Sequence, residues 1–102
     1  MGASIFARQA FANLDAATVL AQLRRDGWDP VPIHDRAGYV YPPHSHAETK
    51  LLAFLSGSMD VRVGEETYRC LPGDRVVIPG GVEHAAIVGP DGCQFFWSEQ
   101  LR

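Results

Sequence analysis

The sequence predicts an all-β domain led by a single α-helix. Three observations carry this. A helical hydrophobic stripe is confined to residues 15–25, short runs rich in Val, Ile, Phe and Tyr fill the chain after Pro30, and Gly, Pro and Asp clusters interrupt those runs about every ten residues. At 102 residues, 46% of them hydrophobic, the chain is long enough for one core and too short for two. A helical segment over residues 1–30 is therefore expected to pack on a β-barrel formed by residues 31–102.

In chain order, Ala16, Val19, Leu20 and Leu23 fall at i, i+3, i+4 and i+7, one stripe of an amphipathic helix. Asn13 or Asp15 can cap its first turn, Arg24 and Arg25 complement its C-terminal dipole, and Gly27 followed by Pro30 stops it. Eight strands are expected: Val31 to His34, Gly38 to Tyr41, Leu51 to Ser56, Met59 to Val63, Glu66 to Leu71, Arg75 to Ile78, His84 to Val88 and Gln94 to Ser98. Such a set closes into a barrel or stacks as a two-sheet sandwich. Ser56-Gly57-Ser58 and Val63-Gly64-Glu65 read as Gly-centred hairpin connections, and Leu71-Pro72-Gly73-Asp74 as a type II turn. Met59, Val61 and Val63 alternate with Asp60 and Arg62, giving that strand a core face and a wet face.

The net charge of -3, from 9 Lys+Arg against 12 Asp+Glu, supplies no basic stripe, so no nucleic-acid partner is expected. No run of about eighteen apolar residues is present, and the N-terminus lacks a charged-then-apolar leader, so the expectation is a cytoplasmic protein with no membrane partner. Met1-Gly2 fails the myristoylation pattern because Phe6 stands where Ser or Thr is needed. Cys70 and Cys93 form no C-x-x-C and read as buried thiols.

Candidate chemistry concentrates in Pro43-His44-Ser45-His46 and in His84, which follows Pro79-Gly80-Gly81-Val82-Glu83. Alternate residues of a strand share a face, so His44 and His46 can turn imidazoles toward one point, and His84 is the natural third ligand from a distant strand. Three imidazoles suit a divalent transition metal, Fe, Mn, Zn, Ni or Cu. An H-x-H pair is also common among histidines that merely satisfy a neighbouring hydroxyl or carbonyl. His34 stands apart and reads as solvent-facing on a sheet edge.

The larger frame decides between these readings. Gly38 precedes His44-Ser45-His46 and Gly57 follows it; later Gly73, Pro79, Gly81 and His84 recur in a second frame. Together these resemble the two motifs of the cupin superfamily, over Gly38 to about Val88. The resemblance implies a jelly-roll barrel and, in metal-binding members, a divalent ion held by His44, His46, an acidic residue and His84. This sequence departs from the pattern at two positions: Lys50 stands where the resemblance places the metal-binding Glu, and Val88 where it places an Asn.

Lys50 is a severe departure. Two like unit charges 4 Å apart repel by about 4 kcal/mol at an effective dielectric near 20, so Lys50 either points away or no ion binds. Turned inward, it would instead hold an anionic substrate. Glu48 shares the parity of His44 and His46 and completes the metal site if the chain bends there; otherwise it is a rim carboxylate paired with Lys50 or solvent. Cavity walls are expected from Leu52, Phe54, Met59 and Val61, with Lys50, Phe54 and Met59 as the substrate-pocket candidates. Two functions fit: a metal-dependent enzyme acting on a small organic molecule, and a non-catalytic module that binds or senses a small ligand without metal. The exposed strand edges of a lone barrel predict a homodimer in either case.

Overall fold

The structure is a computed structural model, and it describes residues 5–100. Its elements in chain order are β1 (Phe6–Ala7), α1 (Ala16–Arg25), β2 (Val31–Asp35), β3 (Val40–His44), β4 (Thr49–Val63), β5 (Glu66–Cys70), β6 (Arg75–Ile78) and β7 (His84–Gln100). Asp15 caps α1, its carboxylate accepting the Thr18 N–H at 3.1 Å, while Asn13 accepts the Asp15 N–H. Gly27, at φ +95°, turns the chain out of the helix.

Every strand pairing is antiparallel, in the order β1-β6-β4-β7-β2, with β3 added on β7 and β5 on β4. This is the all-β jelly-roll barrel with one N-terminal α-helix. Side-chain parity then divides the interior from the exterior. Lys50, Leu52 and Phe54 face into the barrel, whereas Leu51 and Ala53 face out and join Phe96 beneath Val19 and Leu23 of α1. The helix thus covers one outer face of the sheet, and a second cluster built on Phe54, Met59, Val61, Val76 and Phe95 fills the barrel.

Two expected connections are absent. β4 runs unbroken from Thr49 to Val63, through the Ser56-Gly57-Ser58 segment expected to be a hairpin, and β7 runs unbroken across the expected gap between Val88 and Gln94. The two long strands bend together instead: their register shifts between Phe54 and Ser56 and again between Gly57 and Met59. Gly57 makes this bend with φ +75°, and a Cβ there would lie 2.0 Å from the Gly92 carbonyl oxygen. The other two turns form as expected. Gly64-Glu65 joins the Val63 and Glu66 pair, and the Asp74 N–H donates to the Leu71 carbonyl at 3.0 Å with Gly73 at φ +96°.

The residues before α1 contribute more than the sequence foretold. β1 pairs with β6, and the segment after it is tied down by Asp74, which is fully buried. That carboxylate accepts from the Arg8 guanidinium at 2.7 Å, the Gln9 N–H at 3.0 Å and the Leu71 N–H at 2.8 Å.

Cys70 and Cys93 are free and buried, and burial, with weaker pressure from the Asp74 and Asp35 charges, pushes both thiols up to about 12. The reactive thiolate is scarce at that value. Both cysteines are expected to resist iodoacetamide in mildly alkaline buffer until the protein unfolds; alkylation of the native protein at the rate of free cysteine would contradict their burial.

Candidate metal centre

The end of β3 and the start of β7 lie side by side, with His44 directly opposite His84. Pro42 and Pro43 carry no N–H for the ladder, and the β3 register shifts between Tyr41 and His44. The chain leaves the sheet after His44 and bends toward the Pro79-Gly80-Gly81 turn. There the Gly81 N–H donates to the His46 carbonyl at 2.6 Å and the Gly80 N–H to the Thr49 hydroxyl at 3.2 Å. Gly80 permits this approach, since a Cβ on it would stand 2.1 Å from the Ala47 carbonyl oxygen.

The result is a cluster of three imidazoles at one mouth of the barrel. Ring centroids are 4.6 Å apart for His44 and His46, 4.3 Å for His44 and His84, and 5.1 Å for His46 and His84. One nitrogen from each ring falls within 4.8 Å of the others. Two nitrogens bound to one ion at about 2.1 Å each are at most about 4.2 Å apart, so small side-chain movements suffice to bring all three onto one ion.

The backbone selects which nitrogen faces inward. His44 Nδ1 lies 2.6 Å from the Pro42 carbonyl and His84 Nδ1 lies 3.0 Å from the Val82 carbonyl. A carbonyl only accepts, so each Nδ1 carries the proton and each Nε2 keeps its lone pair. This is the outer support that metal-binding histidines commonly have.

Behind the cluster lies a cavity of about 300 Å³, lined by apolar groups from Ile33, Leu52, Met59, Val61, Phe95 and Trp97, by the Tyr41 ring, and by Lys50. Of the three pocket candidates, Lys50 and Met59 line it and Phe54 does not. Phe54 has the inward parity of Leu52 but lies one step farther along β4, where its ring packs against Phe95 with centroids 5.8 Å apart and is wholly covered. The Tyr41 hydroxyl donates to the Asp35 carboxylate, and burial together with that bond pushes the phenol well above its ordinary value. Glu48 is half-buried and lies outside the group of converging ligand atoms. Its charge still reaches His46, where it favours the protonated ring. His34 is exposed on β2.

Lys50 neither points away nor stands uncompensated. Its ammonium donates to the Glu99 carboxylate and sits over the Trp97 ring, 4.7 Å from the centroid. Glu99 was not anticipated from the sequence. It lies 49 residues away and meets Lys50 only because β4 and β7 pair in the register that sets the two residues opposite each other.

Burial holds His46 and His84 below the ordinary imidazole value, helped at His46 by the Lys50 ammonium and the neighbouring rings, and at His84 by His44 and Lys50 against the opposing Val82 carbonyl bond. Both rings are therefore neutral, the form that binds metal, at neutral pH. Stability follows from the same shift. With folded values below the unfolded value of 6.5, the unfolded chain binds more protons between the two. Metal-free protein is expected to hold a nearly constant melting temperature between about pH 7 and 8, where neither these imidazoles nor the two buried thiols titrate, and to lose stability as pH falls through 6.5 toward the folded values. A His46→Gln/His84→Gln variant should lose less over that window; an equal loss in both proteins would refute the assignment.

Residues 27–100, which include β2 to β7, match the family described as AraC-like ligand binding domain. The chain belongs to this family. Its cupin-type domain also resembles solved structures. KdgF from a Halomonas species is 27% identical with a TM-score of 0.62, the match covering 72% of this chain and 68% of that one. An RmlC-like cupin from Shewanella frigidimarina NCIMB 400 is 22% identical at a TM-score of 0.65, covering 74% of this chain and 68% of that one. The DMSP lyase DddQ from Ruegeria pomeroyi DSS-3 is 25% identical at a TM-score of 0.63, covering 69% of this chain but 36% of the lyase. No curated protein sequence matches the domain.

Proposed function

We propose that this AraC-like ligand-binding domain holds a divalent transition metal through His44, His46 and His84 and presents it to a small organic molecule in the apolar cavity behind them. The observation that carries this reading is the convergence of the three rings with Nδ1 of His44 and of His84 set against backbone carbonyls, an arrangement that favours Nε2 lone pairs beside His46 over N–H groups. Fe, Mn, Zn, Ni and Cu all accept imidazole, and the donor set does not choose among them. When bound, such an ion supplies Lewis acidity to an oxygen of the ligand. The protein's own contribution is positional: Leu52, Met59, Val61 and Trp97 exclude water from the ligand's body, and Lys50 brings a positive charge to its polar end. The likeness to a lyase supports a catalytic outcome.

A second reading is favoured by the family itself and by Lys50, which stands where the cupin resemblance calls for an acidic ligand: a module that binds or senses a small molecule without metal. Elemental mass spectrometry on untagged protein, incubated with each of the five metals and then desalted, separates the two. Near-stoichiometric retention of at least one metal is expected. Retention of none would sink the metal centre and leave the metal-free module.

A further inference from the structure

The cavity pairs an apolar interior with a single ammonium, and that ammonium is incompletely satisfied. The Lys50 side chain is only 12% exposed. An ammonium has three N–H donors. One goes to Glu99 and a second side is taken up by the Trp97 ring; no other acceptor meets Nζ among the described residues. The remaining N–H meets no acceptor among those residues, and one supplied from inside the cavity, which Lys50 lines, would satisfy it.

Charge points the same way. Glu99 offsets Lys50, but nothing in the histidine cluster offsets an ion: all three ligands are neutral, and Glu48 lies outside the group. With an ion in place the site would carry two uncompensated positive charges beside a low-dielectric wall, where an unpaired charge is expensive. An anionic oxygen ligand halves that excess and meets the remaining Lys50 donor at once.

From these features we infer that the ligand is a small monocarboxylate with an apolar body. Its carboxylate lies between the histidine cluster and Lys50 Nζ, and its body lies against Leu52, Met59 and Trp97. The metal half of this arrangement rests on the function proposed above; the Lys50 half stands without it. Size is set by the cavity, whose volume of about 300 Å³ is at the small end for ligand pockets. A carboxylate with a benzene ring or a short aliphatic chain suits a pocket of that size.

Calorimetric titration of the wild-type domain with acetate, butyrate and benzoate, each against its neutral amide, tests the inference with and without bound Zn²⁺. Metal content is measured separately on every sample. At least one acid is expected to bind ten-fold or more tightly than its amide. That preference should fall at least ten-fold in Lys50→Met at unchanged zinc content and return in part in Lys50→Arg. Acids that bind no better than their amides, in both the metal-free and the zinc-loaded domain, overturn the carboxylate inference and leave zinc binding untouched. Absence of zinc from every sample overturns zinc as the ion held there, and the acid-to-amide comparison in the metal-free domain still decides the role of Lys50. A preference that survives unchanged in a folded Lys50→Met domain overturns the assignment of Lys50 as the anchor.

Discussion

Replacing His46 with alanine is expected to weaken metal binding by at least about a hundred-fold. Four-ligand zinc sites in small domains bind with roughly 10–16 kcal/mol at neutral pH, or about 3 kcal/mol per ligand, and each 1.4 kcal/mol is a factor of ten. A site with only three protein ligands has little redundancy, so His44→Ala and His84→Ala should fall in the same range. The His34→Ala variant is the control, because His34 is exposed on the outer strand β2 and its loss should change nothing. Stability offers a second readout: at a hundred-fold excess of metal over Kd, wild-type protein gains about 2.7 kcal/mol, which His46→Ala should forfeit. Because protons compete for the same lone pairs, affinity should also decline as pH falls below the ordinary imidazole value of about 6.5. Equal metal affinity in the wild-type protein and all three alanine variants would place any bound metal elsewhere.

A substitution that restores the missing charge would act in the opposite direction. Lys50→Glu combined with Glu99→Gln removes the ammonium and offers an anionic oxygen from the cavity wall, the position at which the cupin resemblance expects an acidic ligand. The double change matters, since Glu at position 50 alone would face Glu99 across the strand pair. Metal affinity should rise by at least ten-fold, measured by competition with a chelating dye. The same protein should lose its preference for carboxylates over amides.

Local signals in this sequence were readable, and pairings between distant residues were not. The α1 stripe, its Asp15 cap and the Gly64-Glu65 turn involve neighbours within a few residues, where spacing alone constrains geometry. Ser56-Gly57-Ser58 is the instructive failure. A glycine at positive φ serves a hairpin and a β-bulge equally well, and only the approach of Gly92, 35 residues farther along the chain, makes Gly57 a bend within a continuous strand. β1 escaped notice because two residues carry no period. In the site, the three histidines stood out because two motifs framed them and Leu52 could be counted as cavity wall, whereas the sequence left the orientation of Lys50 open. Where that inward face stops lining the cavity, at Phe54, depended on how Phe95 packs. Glu99 as counter-ion depended on register across the sheet.

The largest loss of stability is expected far from the cavity, from Asp74→Ala, at about 3–5 kcal/mol. Asp74 has no exposed surface and joins three chain segments: the strand exit at Arg8 and Gln9, the turn at Leu71, and the start of β6. Alanine removes three hydrogen bonds and leaves the part-buried Gln9 and Leu71 N–H groups without that acceptor. An orphaned buried donor costs about 1–3 kcal/mol, and breaking a buried ion pair from one side costs about 3–5 kcal/mol. The Arg8 guanidinium is half exposed, so the ionic part belongs at the low end of that range and the backbone donors carry the rest. Asp74→Asn separates the two contributions, because its amide oxygen still accepts one N–H while the charge is gone; it should lose about half as much. Arg8→Ala should cost least, about 1 kcal/mol, since the Gln9 and Leu71 bonds survive it. Urea titrations of the three variants in metal-free protein give this order directly. A loss in Arg8→Ala equal to that in Asp74→Ala would mean that the ion pair, and not the capture of backbone donors, fixes the N-terminal segment to the barrel.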